Sequence, residues 1–254
     1  MSYSTDSRCA GWHGAATAFL PLTAVLLLAS APVRGQQDYI PRYNLYAGYT
    51  FLDSPHVSLF ENGFHTQAGV NPTTWLALGF DYSVSGGSLK LTPDLLTNKL
   101  QEELGELLAG MGEAGLLPPG FSESSISIST NSRTQTFAGG PQLEYRHYKK
   151  VTLFLRPSVG LIHEVATPKP TDAVSQQIVL ALVGTSGNKT DTVLFYGFGG
   201  GVDFNIYKHV GLRVQADLVY DHLFSDTLKD GRYTTRFSVG PFFNVGKNIA
   251  KKGR

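Results

Sequence analysis

Between residues 42 and 246 the chain repeats one pattern eight times: a run of alternating apolar and polar residues, then a break. A period of two puts successive side chains on opposite faces of a strand. Arg42 to Leu52 sets Tyr43, Leu45, Ala47, Tyr49 and Phe51 against Asn44, Tyr46, Gly48 and Thr50. The second run, Glu61 to Val70, sets Phe64, Thr66, Ala68 and Val70 against His65, Gln67 and Gly69. The third is Trp75 to Ser85. The fourth runs from Ser132 to Arg146, with an upstream extension through Ile126, Ser127 and Ile128. The fifth is Val151 to Glu164, the sixth Thr190 to Ile206, the seventh begins at Val210, and the eighth is Arg232 to Gly246.

The breaks alternate in length. Residues 71–74, 147–150 and 207–209 are tight turns, and Pro72 fixes one of them. Residues 86–131 and 165–189 are long. Short turns at one end and long loops at the other are the sequence signature of a closed spanning barrel. The pattern therefore predicts an all-β fold: an eight-stranded antiparallel up-and-down transmembrane β-barrel with helical insertions in its long loops. Within 86–131, Thr92 is the expected cap and Pro93 the first helical residue. Leu96, Leu100, Leu104, Leu107, Leu108 and Met111 recur at helical spacing. Ala173 to Val183 predicts a second helix. The two either pack together as a cap over the barrel mouth or present an apolar surface to a partner or lipid.

Alternation alone does not say which face meets solvent, so composition decides. The polar face consists mainly of Gly, Ser, Ala and Thr, the sizes that a narrow eight-stranded interior accommodates. A soluble, lipocalin-like barrel is the rival and would place longer polar residues on that face. Seven charges share it: Asp81, Glu144, Asp203 and Asp217 against Arg156, Arg213 and Arg236. Charges in a narrow lumen are costly unless paired, so an internal salt-bridge network plugging the lumen is expected. A charged channel lining is the alternative. Aromatic residues gather near the strand ends, as interfacial girdles do. Tyr43, Trp75, Tyr145, Tyr148, Phe204 and Phe243 lie toward the short turns. Phe51, Tyr82, Tyr220, Phe224 and Tyr233 lie toward the long loops.

The ends complete the layout. Arg8 precedes an apolar run from Ala15 to Ser30 and small residues up to Gly35, which reads as a signal peptide over 1–35. The barrel is expected over 36–247 and a basic tail over 248–254. Removing the leader takes Cys9, the single cysteine, and leaves no disulfide or thiolate metal site. The 21 Lys and Arg lose Arg8 and Arg34 and the 20 Asp and Glu lose Asp6, leaving 19 of each. Zero net charge gives no case for nucleic acid.

Several stretches together resemble the small bacterial outer-membrane barrels of the OmpA-like, eight-stranded porin-family type. They are Tyr46 to Leu52, Trp75 to Tyr82, Phe137 to Gln142, Phe198 to Asp203 and Arg236 to Phe243. Their order and spacing carry the resemblance, over about residues 40 to 247. It implies the bacterial outer membrane, turns in the periplasm and long loops outside the cell. It also implies insertion by the barrel-assembly machinery and a surround of outer-membrane lipid and lipopolysaccharide. One departure is that Phe243 is followed by Val245 and the basic tail, where many such chains end on an aromatic residue.

No metal cluster, phosphate loop or nucleophile elbow is present, so no cofactor is expected; Gly197 to Gly201 lies inside a strand with no helix after it. The expected function is a monomeric, non-enzymatic outer-membrane barrel with a structural or surface-interaction role, its partner engaging loops 86–131 and 165–189. A narrow porin is one alternative. A lipid-modifying enzyme is another, built on His163 with Glu164 or His222 with Asp221 at the outer rim.

Overall fold

A computed structural model of the chain describes residues 37–122 and 126–250. The expected leader, its cleavage point and the last four residues of the tail lie outside the described residues. Eight strands pair in sequence order and β8 returns to β1, closing the barrel. They are β1 (Tyr43–Ser54), β2 (Leu59–Val70), β3 (Leu76–Leu91), β4 (Ile128–Tyr145), β5 (Val151–Pro168), β6 (Lys189–Asn205), β7 (Val210–Asp221) and β8 (Arg232–Val245). Every pairing is antiparallel. Among the described residues no helix is long and apolar enough to cross a membrane.

The register sets the shape. From Tyr43 the facing residues on successive strands are Val70, Leu78 and Pro141; on the far side Phe198 faces Leu218, and Leu218 faces Thr235. Thr235 faces Asp53, so the circuit re-enters β1 ten residues beyond its start, Tyr43 to Asp53. Ten residues climb about 33 Å, while eight strand spacings cover about 38 Å. The strands therefore tilt by about 40°, within the range of a closed barrel.

Burial alternates with the sequence pattern, with the apolar set outside. Leu45, Phe64, Phe80, Leu155, Phe198, Leu218 and Phe237 are among many large apolar side chains exposed on the outer wall. Soluble monomers expose apolar patches of roughly a few hundred Å² at most. A continuous apolar belt around a barrel is a lipid-facing surface. Along β7 the outward residues from Val210 to Tyr220 span about 25 Å at this tilt, the height of an outer-membrane apolar band.

β3 and β5 are longer than their alternation suggested, and with β4 and β6 they project past the belt. Tyr82, Phe137, Leu161 and Leu194 face one another on the outer wall. Two residues on, the facing set is Val84, Gln135, His163 and Thr192. Further out come Ser88, Asn131 and Thr167. The wall thus turns polar where it leaves lipid. Rings gather just below that line: Tyr220 lies 5.3 Å from Tyr196 and 4.6 Å from Tyr233, centroid to centroid. Phe224, expected in this girdle, is instead buried under the loops among Phe195, Val219 and Leu223.

The first loop contracts to a hairpin, Pro55–Val57 forming a single helical turn closed by Ser58 at φ 49°. In the next long loop the helix starts later than its sequence suggests. Pro93–Leu95 is a separate 3-10 turn, Leu96 is extended, and α1 spans Asn98–Glu113. The interruption has a cause: Leu95 drops into the barrel mouth, while Leu96 bridges to Leu228 in the β7–β8 loop. One continuous helix would forfeit that bridge. α2 spans Ala173–Val183, as expected, and opens on a capping box in which Asp172 accepts from the Ser175 backbone N–H at 2.8 Å.

Candidate functional site

With the outer wall committed to lipid, the chemistry-bearing side chains lie in the lumen and the loops. The lumen contains three polar layers stacked along the axis. The glycines of β6 make room for them. A Cβ on Gly199 would fall 1.9 Å from Asp217 Oδ1, and one on Gly201 would fall 2.7 Å from the ring of Phe154.

The lowest layer, by the short turns, runs around the inner wall. Arg213 grips Asp203 with two bonds of 2.6 and 2.7 Å while its plane lies 4.6 Å from the Phe154 ring. It also donates to Gln67 at 2.7 Å, Gln67 donates to Gln142, and Gln142 donates to Glu144 at 2.8 Å. Glu144 pairs with Arg146, which donates to Gln37, and Gln37 donates to Thr152 at 2.9 Å. Thr152 is the register neighbour of Asp203 across β5 and β6, which brings the run of bonds back beside its start. Gln37 belongs to the segment ahead of β1. That segment is held across the lower mouth where Asn248 accepts from the Ile40 N–H and Ile249 donates to the Ile40 carbonyl, both at 2.9 Å.

The middle layer is a four-charge cluster. Arg156 approaches Asp81 at 2.5 Å and Asp217 at 3.7 Å. Arg236 holds Asp217 through Nε at 3.0 Å and Nη2 at 2.9 Å, with Asp81 at 3.8 Å. His65 sits beside Asp81 at 3.8 Å and bonds Ser238 at 3.2 Å. Two arginines against two aspartates balance. All seven residues singled out from the sequence therefore face the lumen, in two groups: Asp203, Arg213 and Glu144 below, and Asp81, Arg156, Asp217 and Arg236 in the middle.

The third layer has no member among those seven. Arg232 bonds Asp221 at 3.1 and 3.2 Å and also pairs with Glu164, which accepts from Ser132 at 2.8 Å. Glu61 is fully buried and accepts from Ser85 at 2.6 Å and Thr134 at 2.9 Å. Strand parity could have found them: Glu61 shares a face with His65, and Arg232 with Arg236. Among the described residues no cationic nitrogen lies within 4.0 Å of Glu61, and no cluster of three or more His, Cys, Asp or Glu is arranged to hold a metal ion. A prediction follows from this asymmetry. Glu61→Gln keeps the shape of a group that has no cation to lose, so urea unfolding of the protein refolded in vesicles shifts by less than about 1 kcal/mol. Glu164→Gln weakens a charged bond to Arg232 and lowers stability by about 1.5–3 kcal/mol.

Apolar side chains close the upper lumen. Val57, Leu59, Leu89 and Leu95 form one cluster above the third layer, and Ile162, Phe195, Val219, Leu223 and Phe224 form another that flanks it and reaches up under the loops, with Leu228 against both. A cavity of about 50 Å³ remains between them. Backbone bonds stitch the β3–β4 loop to the β7–β8 loop across the mouth: Thr97 to the Thr227 carbonyl and Lys229 to the Leu95 carbonyl, each 2.9 Å. Lys189 adds a bond to Asp226 at 2.7 Å. On top, α1 and α2 share one cluster of Leu104, Leu108, Met111, Val174, Ile178 and Val179.

The two histidine–acid pairs that suggested an enzyme are each divided by strand geometry. His163 lies on the outer wall, bonding Thr192 at 2.7 Å, while Glu164 points inward to Arg232. His222 packs 4.9 Å from the Tyr220 ring, while Asp221 is committed to Arg232. Neither pair forms a dyad.

A closed eight-stranded antiparallel barrel, apolar outside and polar within, defines the class: a membrane-spanning β-barrel. No family model matches the sequence, and comparison with curated proteins finds no match. Among solved structures, the chain is similar to Ail, the attachment invasion locus protein of Yersinia pestis, in complex with the heparin analogue sucrose octasulfate. Identity is 15% over 80% of this chain and 97% of that one, with a TM-score of 0.44. Neisserial surface protein A matches with 12% identity over 80% and 96%, TM-score 0.48. OprG from Pseudomonas aeruginosa matches with 8% identity over 84% and 100%, TM-score 0.45.

Proposed function

We propose that this outer-membrane barrel is sealed and non-enzymatic, that outer-membrane phospholipid and lipopolysaccharide surround its belt, and that its working surface is the extracellular loop platform. The observation that carries the reading is the stack in the lumen: a run of polar bonds at the lower mouth, a neutral four-charge cluster at mid-height, a third polar layer and an apolar stopper beneath stitched loops. An eight-stranded interior is just wide enough for side chains to fill, which favours a plug over a channel lining.

The platform has a chemistry of its own. Asp94, Glu102, Glu103, Glu106, Glu113, Asp172, Asp226 and Asp230 are exposed there, against Lys90, Lys99, Arg133, Lys169 and Lys229. Leu116 and Leu180 are exposed among them. An acidic surface with apolar points suits a basic partner and disfavours a polyanion. Cysteine labelling in intact cells tests the placement, since the sequence holds a single cysteine, in the leader. Ser186→Cys, in the α2–β6 loop, should react with a membrane-impermeant maleimide on whole cells. Lys149→Cys, at a short turn, should react only after permeabilisation. The reverse pattern would invert the barrel and remove the platform from the cell surface.

A further inference from the structure

The near-balance of charge over the whole sequence, +1, conceals an asymmetry between the two ends of the barrel. The short-turn end carries Arg42, Lys149, Lys150, Lys208 and Lys247, all exposed, with Asp38 as the nearby acid. Lys149, Lys150 and Lys208 converge on one pocket of about 470 Å³, whose wall includes Gln37, Asp38, Tyr39, Asn205, Ile206, Tyr207 and Asn248. Among the described residues, none of the three lysines is within ion-pair distance of a carboxylate, although Lys208 lies 4.7 Å over the Tyr39 ring. Asp38 is the acid on the same wall, facing three lysines. The pocket is held in shape by bonds between the chain's two ends: Asn248 donates to the Asp38 carbonyl at 2.8 Å, and Tyr39 donates to the Gly246 carbonyl at 3.0 Å.

We propose that this pocket binds the headgroup of an anionic phospholipid in the periplasmic leaflet. Three unpaired cations against one carboxylate, Asp38, favour an anion such as a phosphate. The position selects a lipid over a free anion: Ile206 and Tyr207, 58% and 74% exposed, line the pocket and continue the lipid-facing column of β6 through Phe204. A headgroup in the pocket thus has apolar wall beside it for its acyl chains. Lysines at a lipid surface each contribute about a factor of five in affinity for anionic lipid.

The inference rests on the reading of the protein as a membrane barrel with its short turns in the periplasm. The test is native mass spectrometry of the protein refolded in vesicles, extracted in mild detergent and titrated with phosphatidylglycerol or phosphatidylethanolamine. Phosphatidylglycerol should be retained in preference, and an excess of inorganic phosphate should not displace it. The triple variant Lys149→Gln, Lys150→Gln, Lys208→Gln should retain it about a hundredfold less. A control carrying Lys90→Gln, Lys169→Gln and Lys229→Gln, at the opposite end, should behave as wild type. Equal retention of the two lipids, an indifferent triple variant, an equally impaired control, or displacement by phosphate would each overturn the lipid site. Failure to enter vesicles at all would instead refute the membrane reading beneath it.

Discussion

Arg236→Met should lower the unfolding free energy of the vesicle-embedded barrel by about 3–5 kcal/mol, measured by urea titration. Arg236 supplies both close bonds to Asp217, at 3.0 and 2.9 Å, and both side chains are buried. Removing it leaves Asp217 with the Gln215 amide at 3.3 Å and Arg156 at 3.7 Å, and Arg156 already leans on Asp81. The cost is that of a stranded buried charge, not of one lost bond. Adding Asp217→Asn removes the stranded charge, so the double variant should recover most of the loss. If the double variant is as unstable as the sum of the two singles, the residues do not act as a pair.

Leu155→Arg should cost about 2–4 kcal/mol, because it places a charge midway along the lipid belt. Leu155 is half exposed on the outer wall of β5. Thr167→Arg lies on the same strand and face but beyond the point where that wall turns polar, and should change stability by less than about 0.5 kcal/mol. The contrast separates a lipid-facing wall from a solvated one. On a water-soluble barrel both substitutions would be surface changes of similar, small effect.

The strands were legible because their signal is local. A side-chain period of two survives in any single strand, and small residues on one face reveal which face is crowded. Asp81, Glu144, Arg156, Asp203, Arg213, Asp217 and Arg236 could be placed on one face for the same reason, since each lies inside a run of clear parity, but parity does not divide them into two layers. Glu61 and Arg232 were less obvious at the edges of their runs, where a strand and its loop look alike. Gln37 in the lower mouth and the bridge between Leu96 and Leu228 join segments far apart in sequence and leave no periodic trace. The late start of α1 belongs with them: Pro93 and the leucine spacing favour an earlier helix, and a tertiary contact overrides that local preference. The lysine pocket likewise depends on two turns and both chain ends meeting in space.

Layers in series give the seal a simple consequence. Replacing the stitched loops alone leaves the middle cluster in place, and altering the cluster alone leaves the stopper. The most direct measurement is therefore planar-bilayer recording of the refolded wild-type protein, with its heat-modifiable migration on a gel confirming a folded barrel. A sealed lumen predicts no steady, reproducible conductance steps above the lipid baseline at any applied voltage. Well-defined steps from the folded wild-type barrel would show an open path past Asp81, Arg156, Asp217 and Arg236, and would contradict the account.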